Sequence, residues 1–367
     1  MRFYIPSLNG LRALCIIMVI FYHFDMHHFL PDHGVFKIAS LAFFNGPLGV
    51  NIFFAISGFL ITTLLLKEEA DMGFISLRGF YYRRIIRIFP AYYFLLLVYI
   101  ILSIFGYFTL SSIDWISSFT YTKQFFPNTS HETAHLWSLS VEEVFYLIWP
   151  LLFIYFKKFR LSISIFCLMA CCLVRCITYN AHGANLVNII YTSGDALIIG
   201  CIIALHRDQI VHWMSNRKYL MLMIFPSIVM SVVFYKYIYH LELAGQFNSK
   251  PQISRFFVPM VYGFLGQIGT VTNILIGFLI LYSISFENLW FKFLNLPIMN
   301  YIGKISYSLY LWQEIFTADR AYLHKLPIVL ILVMIVGSAC ISYYFIEKPF
   351  LKLKHKFNFK PVPQPIS

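Results

Sequence analysis

Hydrophobic positions along the chain come in long unbroken runs rather than in alternation, and the length of those runs predicts the elements. A helix crossing ~30 Å of hydrocarbon needs ~20 mostly apolar residues. Ten segments meet that requirement, at approximately 10–28, 42–66, 88–110, 140–157, 161–178, 185–205, 218–239, 257–283, 297–316 and 326–346. The pattern therefore predicts an all-α, polytopic membrane helical bundle of about ten transmembrane helices. The fourth and fifth segments are joined by the short basic turn Lys157-Lys158-Phe159-Arg160, and no internal repeat is evident.

Composition turns this reading into an exclusion. Of 367 residues, 59% are hydrophobic and 12% charged, where an ordinary soluble domain carries ~25% charged residues. So few charges cannot cover the surface of a water-soluble globule of this length, and lipid must replace the missing polar cover. One membrane domain over residues 1–350 is expected, followed by a basic tail at 351–367 whose three prolines and lack of apolar periodicity predict a disordered cytoplasmic end. The first apolar run has no small-residue cleavage site behind it and reads as a retained span.

The net charge of +12 does not point to nucleic acid, because Lys and Arg occur in short blocks between apolar runs. With both termini in the cytoplasm, 19 of the 28 Lys and Arg fall on the inner side, the bias that orients membrane helices. Lys37, Lys123, Arg175, Lys236, Lys250, Arg255, Arg320 and Lys325 then belong to outer loops. The seven cysteines lie in or beside apolar runs, where thiols act as small hydrophobes, so neither a disulfide framework nor a metal site is expected.

Candidate chemistry lies where ionisable groups fall at membrane depth, since each costs at least ~2.5 kcal/mol there and needs a partner or a cavity. Arg12 and His23 are eleven residues apart on the first predicted helix. At ~100° and ~1.5 Å per residue they share one face with ~16 Å between them. A permanently charged guanidinium at the mouth suits a phosphate, and an imidazole at depth suits proton transfer. An ordinary anchor and a hydrogen-bonded structural histidine are the alternative reading. Arg84 and Arg87, three apart at the entrance of the third segment, point the same way and suit one polyanion or a lipid headgroup.

Glu142 and Glu143 open the fourth segment, with Ser140 as a plausible N-cap; capping explains one carboxylate, and the second points toward the bundle. Asp195 is a mid-span acid beside Gly194 and Gly200, lining a path or paired with an internal cation. Ser306, Tyr310 and Gln313 form a polar stripe on the ninth segment, with Tyr307 beside it.

Six segments in order resemble acyltransferase family 3 of membrane O-acyltransferases. They are Leu8-Asn-Gly-Leu-Arg12 with His23 beyond it, Gly49-Val-Asn-Ile-Phe-Phe-Ala-Ile-Ser-Gly58-Phe, Arg83-Arg-Ile-Ile-Arg87-Ile-Phe-Pro90, Trp137-Ser-Leu-Ser-Val-Glu142-Glu-Val-Phe-Tyr146, Gly303-Lys-Ile-Ser-Tyr-Ser-Leu-Tyr-Leu-Trp312 and Ile346-Glu347-Lys-Pro349-Phe350. The resemblance runs from Ile5 to Phe350. Two positions depart from the family pattern: Gln313 stands where histidine is common, and Val144 where glutamine is common.

The resemblance implies transfer of an acyl group, commonly acetyl, from cytoplasmic acyl-CoA to a hydroxyl of an exported carbohydrate such as O-antigen, exopolysaccharide or a lipo-oligosaccharide. It implies a multi-pass protein of the cell inner membrane that works without a permanently bound cofactor. The chain's length leaves no room for an appended extracytoplasmic hydrolase-like domain, so the stand-alone form is expected. In that scheme Arg12, Arg84 and Arg87 hold the CoA phosphates, and the thioester arm threads a tunnel to His23. His23 is the general base, Glu142 orients it, and Glu143, Asp195, Tyr307, Tyr310 and Gln313 serve the acceptor. A covalent acyl-histidine carrying the group outward is the alternative to direct transfer. The rival classes are a glycolipid transporter or flippase, whose path such polar residues would also line, and a silent sensor or scaffold.

Overall fold

The structure, a computed structural model, describes residues 5–24, 40, 43–126, 130–182, 193–244, 257–265, 269–318 and 326–353. The predicted tail beyond Leu353, parts of the first, second, sixth and eighth predicted segments, and the outer-loop residues Lys37, Lys250, Arg255, Arg320 and Lys325 lie outside them. The described chain is all-helical, with no strand among the described residues.

Its helices run α1 Pro6–His23, α2 Gly46–Met72, α3 Leu77–Ile104, α4 Ser112–Phe119, α5 Leu136–Tyr155, α6 Arg160–His182, α7 Asp195–Leu205 and α8 Arg207–Ser215. They continue as α9 Lys218–Leu243, α10 Val258–Leu265, α11 Thr270–Ser285, α12 Leu289–Leu294, α13 Pro297–Thr317, α14 Ile328–Ile341, a π-helical turn Ser342–Glu347, and α15 Lys348–Leu353. Among the described residues, seven helices are long and apolar enough to cross a membrane: α1, α2, α3, α5, α6, α9 and α14 with its continuation. The sixth predicted segment is represented by α7 alone and the eighth by two helices, α10 and α11. The ninth is α13, whose polar stripe lowers its mean hydropathy. Large apolar side chains such as Ile104, Phe166, Leu173 and Val333 are exposed on the outside of the bundle, as a lipid-facing wall requires.

Local signals in the sequence set several boundaries. Asn45 caps α2 by accepting from Leu48 N (3.0 Å), and Gly73 ends it at φ +76°. Ser76 caps α3 by accepting from Gly79 N (3.1 Å). Helix α5 begins four residues before Ser140, so that serine is no N-cap. Its hydroxyl donates to the Tyr121 carbonyl, and Glu142 and Glu143 sit well inside the helix instead of in its first turn.

Close helix approach explains two glycine pairs. Helix α7 crosses α2 at Gly58 and Gly200, where an added Cβ would collide with the carbonyls of Leu197 and Ala55 respectively. Helix α1 meets α12 and α13 at Gly10 and Gly303, where a Cβ would strike the carbonyls of Leu294 and Asn9. Because the obstacle is backbone on both sides, Gly200→Val is expected to cost at least about 1–3 kcal/mol. A lowered unfolding midpoint of the detergent-solubilised protein checks this; an unchanged midpoint would remove the close crossing.

Two basic residues assigned to outer loops are buried instead. Arg175 lies within α6, fully buried, 2.8 Å from Asp195, and donates to the Gly263 carbonyl (2.7 Å). Lys123, in the segment after α4, reaches Asp114 (2.8 Å) and Thr133 (2.5 Å). Burial disfavours the Asp114 carboxylate, but hydrogen bonds from Lys123, Ser130 and Ser111 outweigh it and hold its pKa well below the ordinary carboxylate value. Burial also lowers Lys123, an effect felt on the alkaline side.

A depressed folded-state pKa stabilises the fold above the unfolded value of ~3.9, and that contribution disappears as pH falls through the folded-state value. Acid unfolding followed by circular dichroism is therefore expected to show an acid limb that Asp114→Asn flattens. Lys123→Met is expected to lose roughly 3–5 kcal/mol by stranding the carboxylate.

Candidate active site

A cavity of about 480 Å³ opens between α1, α2, α3, α5 and α13. Arg12, Arg84, Arg87 and Lys67 line it together with Ser57, Glu142, Glu143, Tyr146, Ser306, Tyr307, Ser138 and Tyr310. Three of the cations were singled out from the sequence, and residues far apart in the chain meet here because glycine pairs bring α1 against α13 and α2 against α7. Both predicted glutamates and both predicted tyrosines are on the wall.

The tandem arginines divide into two jobs. Arg83 forms an ion pair with Glu68 (2.5 Å) and so ties α3 to the end of α2. Nearby, Glu69 takes a two-pronged bond from Arg160 (2.8 and 3.1 Å) and another from Lys157 (2.8 Å), locking α6 to the same end. Arg84 instead faces the cavity, its guanidinium 5.1 Å from the Tyr146 ring centre and 5.5 Å from that of Phe80, within reach of both ring faces. Arg87 joins it on the wall. Glu347, buried in the π-helical turn against α3, accepts from Ser308 (3.0 Å) and is electrostatically coupled to Arg87 and Arg12. A guanidinium cluster with some internal compensation can bind a polyanion without being repelled apart when empty.

Glu142 accepts from Ser57 (2.8 Å) and couples to Arg12. It is thus part of the cationic half of the cavity. The carboxylate at the histidine is a different one: His23 Nε2 lies 3.6 Å from Glu314 Oε2, while Nδ1 lies 2.9 Å from the Val19 carbonyl oxygen. The expected His23–Glu142 pair is not the arrangement found, because α1 carries His23 beyond the level of Glu142 to the far end of α13.

The expected open tunnel is also modified. The cavity's lining ends at Tyr310 and Ser138. Tyr310 donates to the His135 carbonyl (2.9 Å) and lies 2.6 Å from Ser138 Oγ. One turn further along α13 is Glu314, and His135 packs its ring edge-on to Tyr310 with centres 5.7 Å apart while coupling electrostatically to His23. A tyrosine–serine contact therefore separates the basic cavity from the histidine cluster.

Besides His23, two predicted site residues stand apart from the cavity wall. Asp195 is engaged with Arg175 and accepts from Thr270 (3.0 Å), the paired alternative left open by the sequence. Gln313 is fully buried one turn beyond Tyr310, and neither amide atom has a hydrogen-bond partner among the described residues. Tyr307 lines the cavity and donates to the Ile88 carbonyl (3.0 Å).

Comparison with known proteins is consistent with this arrangement of motifs. A family model described as an acyltransferase domain matches residues 5–347. The chain belongs to acyltransferase family 3. O-acetyltransferase OatA of Staphylococcus aureus strain NCTC 8325 / PS 47 is 29% identical over 397 aligned residues, covering 98% of this chain and 59% of the relative. OatA of strain MRSA252 matches with the same identity and coverage. The chain thus spans about 60% of the length of the curated relatives it matches. No solved structure matches it.

Within this acyltransferase-family chain, sequence reasoning missed Ser57, Lys67, His135, Glu314 and the role of Glu347. The signals were present for three of them. His135 directly precedes Leu136-Trp137, Glu314 directly follows Gln313, and Glu347 is the acid of the final motif. Ser57 and Lys67 carry no such mark, being a small polar residue in an apolar run and one basic residue among several.

Proposed function

We propose that the protein is a membrane O-acyltransferase that moves an acyl group, acetyl being the simplest, from cytoplasmic acyl-CoA to a hydroxyl of an exported carbohydrate. The observation that carries the proposal is the cavity: three arginines and a lysine line one space whose wall ends at Tyr310 and Ser138, the contact that separates it from His23. Arg12, Arg84, Arg87 and Lys67 bind the phosphates of the donor from the cytoplasmic side, and Glu142 and Glu347 hold those cations in place. The pantetheine arm runs along the α1–α13 face and displaces the Tyr310–Ser138 contact to reach the outer compartment.

There the acceptor hydroxyl gives its proton to His23 Nε2 as its oxygen attacks the thioester carbonyl. The carbon–sulfur bond breaks, the CoA thiolate leaves, and the imidazolium returns the proton to it, so the histidine ends as it began. Gln313, Glu143, Tyr307 and Tyr310 offer hydrogen bonds to the two substrates. A two-step transfer through acyl-His23 uses the same groups. In this reading the protein sits in the cell inner membrane with both termini inside.

The test is acceptor-dependent release of free CoA by protein reconstituted in liposomes, with polysaccharide or lipid-linked glycan fractions as acceptors. Release only with acceptor, and recovery of an ester on the glycan by NMR, are expected. Movement of a glycolipid across the bilayer with no CoA consumed would establish the transporter reading instead.

A further inference from the structure

We infer that Glu314 is the positioning residue for His23, the carboxylate that faces its reactive nitrogen and stabilises the proton that nitrogen receives. The inference rests on the transfer reading above and deepens it. A backbone carbonyl only accepts hydrogen bonds, so the 2.9 Å contact with Val19 assigns the ring proton of neutral His23 to Nδ1. The reactive nitrogen is then Nε2, and it faces Glu314 Oε2 at 3.6 Å. A bare imidazole lone pair and a carboxylate repel each other, so this contact becomes favourable only when one proton is bound between them. That is the charge state His23 reaches on taking the acceptor's proton.

The separation is longer than a direct hydrogen bond, which leaves an approach to Nε2 for an incoming hydroxyl beside the carboxylate. Glu314 itself is held nearly out of solvent, with its side chain 4% exposed against 27% for His23, so its charge acts with little screening.

Three other described groups near His23 do not offer this service. Tyr22 on α1 places its ring edge-on at 5.5 Å, His135 at the start of α5 brings a second imidazole, and Tyr310 on α13 spends its hydroxyl on Ser138 and the His135 carbonyl. Of these groups only Glu314 supplies a negative charge. Its position one turn beyond Tyr310 puts it on the acceptor side of the contact that closes the basic cavity.

Glu314→Gln keeps the shape and removes the charge; Glu314→Asp keeps the charge on a shorter stem. In acceptor-dependent CoA release, Glu314→Gln is expected to lower kcat about 10- to 100-fold with the KM for acyl-CoA unchanged, and Glu314→Asp to recover part of kcat. Unchanged kcat in Glu314→Gln, or an equal loss in both variants with a shifted KM, would overturn the inference.

A second readout needs no turnover: diethyl pyrocarbonate labels neutral imidazole, and mass spectrometry of the peptide carrying His23 follows it. At pH 6, labelling several-fold faster in Glu314→Gln than in wild type or Glu314→Asp is expected, and equal rates in all three would overturn the inference. Wild-type protein that releases no CoA with any acceptor would instead count against the transfer reading, leaving the labelling result to decide the role of Glu314.

Discussion

Alanine in place of His23 is expected to lower acceptor-dependent acyl transfer by about 10²–10⁴-fold, the range contributed by a positioned acid–base group. The effect falls on kcat. His23 ends α1 with its side chain 27% exposed, and its ring contacts include a carbonyl of its own helix and Glu314, so its removal is expected to leave the packing of α1 on α13 intact. An unaltered unfolding midpoint with lost turnover is the expected combination. Near-normal acetylation by well-folded His23→Ala would exclude this residue as the base and would also exclude an acyl-histidine.

The double variant Arg84→Ala with Arg87→Ala is expected to raise the KM for acyl-CoA by about 10²–10³-fold with a smaller change in kcat. Each charge-assisted hydrogen bond to phosphate contributes roughly 1.5–3 kcal/mol, and both arginines line the cavity. Arg83→Ala is the internal control, because Arg83 is paired with Glu68 and its loss is expected to touch stability and not donor affinity. Lysine at position 84 is expected to restore little, since a compact ammonium lacks the planar fork that binds phosphate through two hydrogen bonds. Titration of the purified variants with a fluorescent CoA measures all three; donor affinity undisturbed in the double variant would remove the phosphate clamp from the account.

The parts legible in the sequence were those whose physics is local. A guanidinium at membrane depth is conspicuous whatever surrounds it, and helical spacing alone puts Arg84 and Arg87 on one side and Arg12 on the same azimuth as His23. Long apolar runs gave the helical class for the same reason. Partnership was not legible. The motifs pair Glu142 with His23, yet the helix that brings a carboxylate to the ring is α13, where Gly303 packs on the Asn9 carbonyl of α1. Nothing in the pattern reports that contact.

Charge alone puts Arg175 and Lys123 outside, the ordinary location; Asp195 and Asp114 reverse it by supplying buried counter-ions. The Tyr310–Ser138 closure was hidden for a similar reason. Each hydroxyl reads as a single polar position in an apolar helix until the two helices are set side by side.

The central claim is that the donor occupies the bundle from the arginines to the histidine. The most direct measurement is a cryo-electron microscopy map of the protein in a lipid nanodisc with a non-reactive thioether analogue of acyl-CoA. The account predicts phosphate density against Arg12, Arg84 and Arg87, Tyr310 moved away from Ser138, and the sulfur beside His23 and Glu314. Phosphates bound elsewhere, or an analogue held with the tyrosine–serine contact still closed and its sulfur on the arginine side, would contradict it.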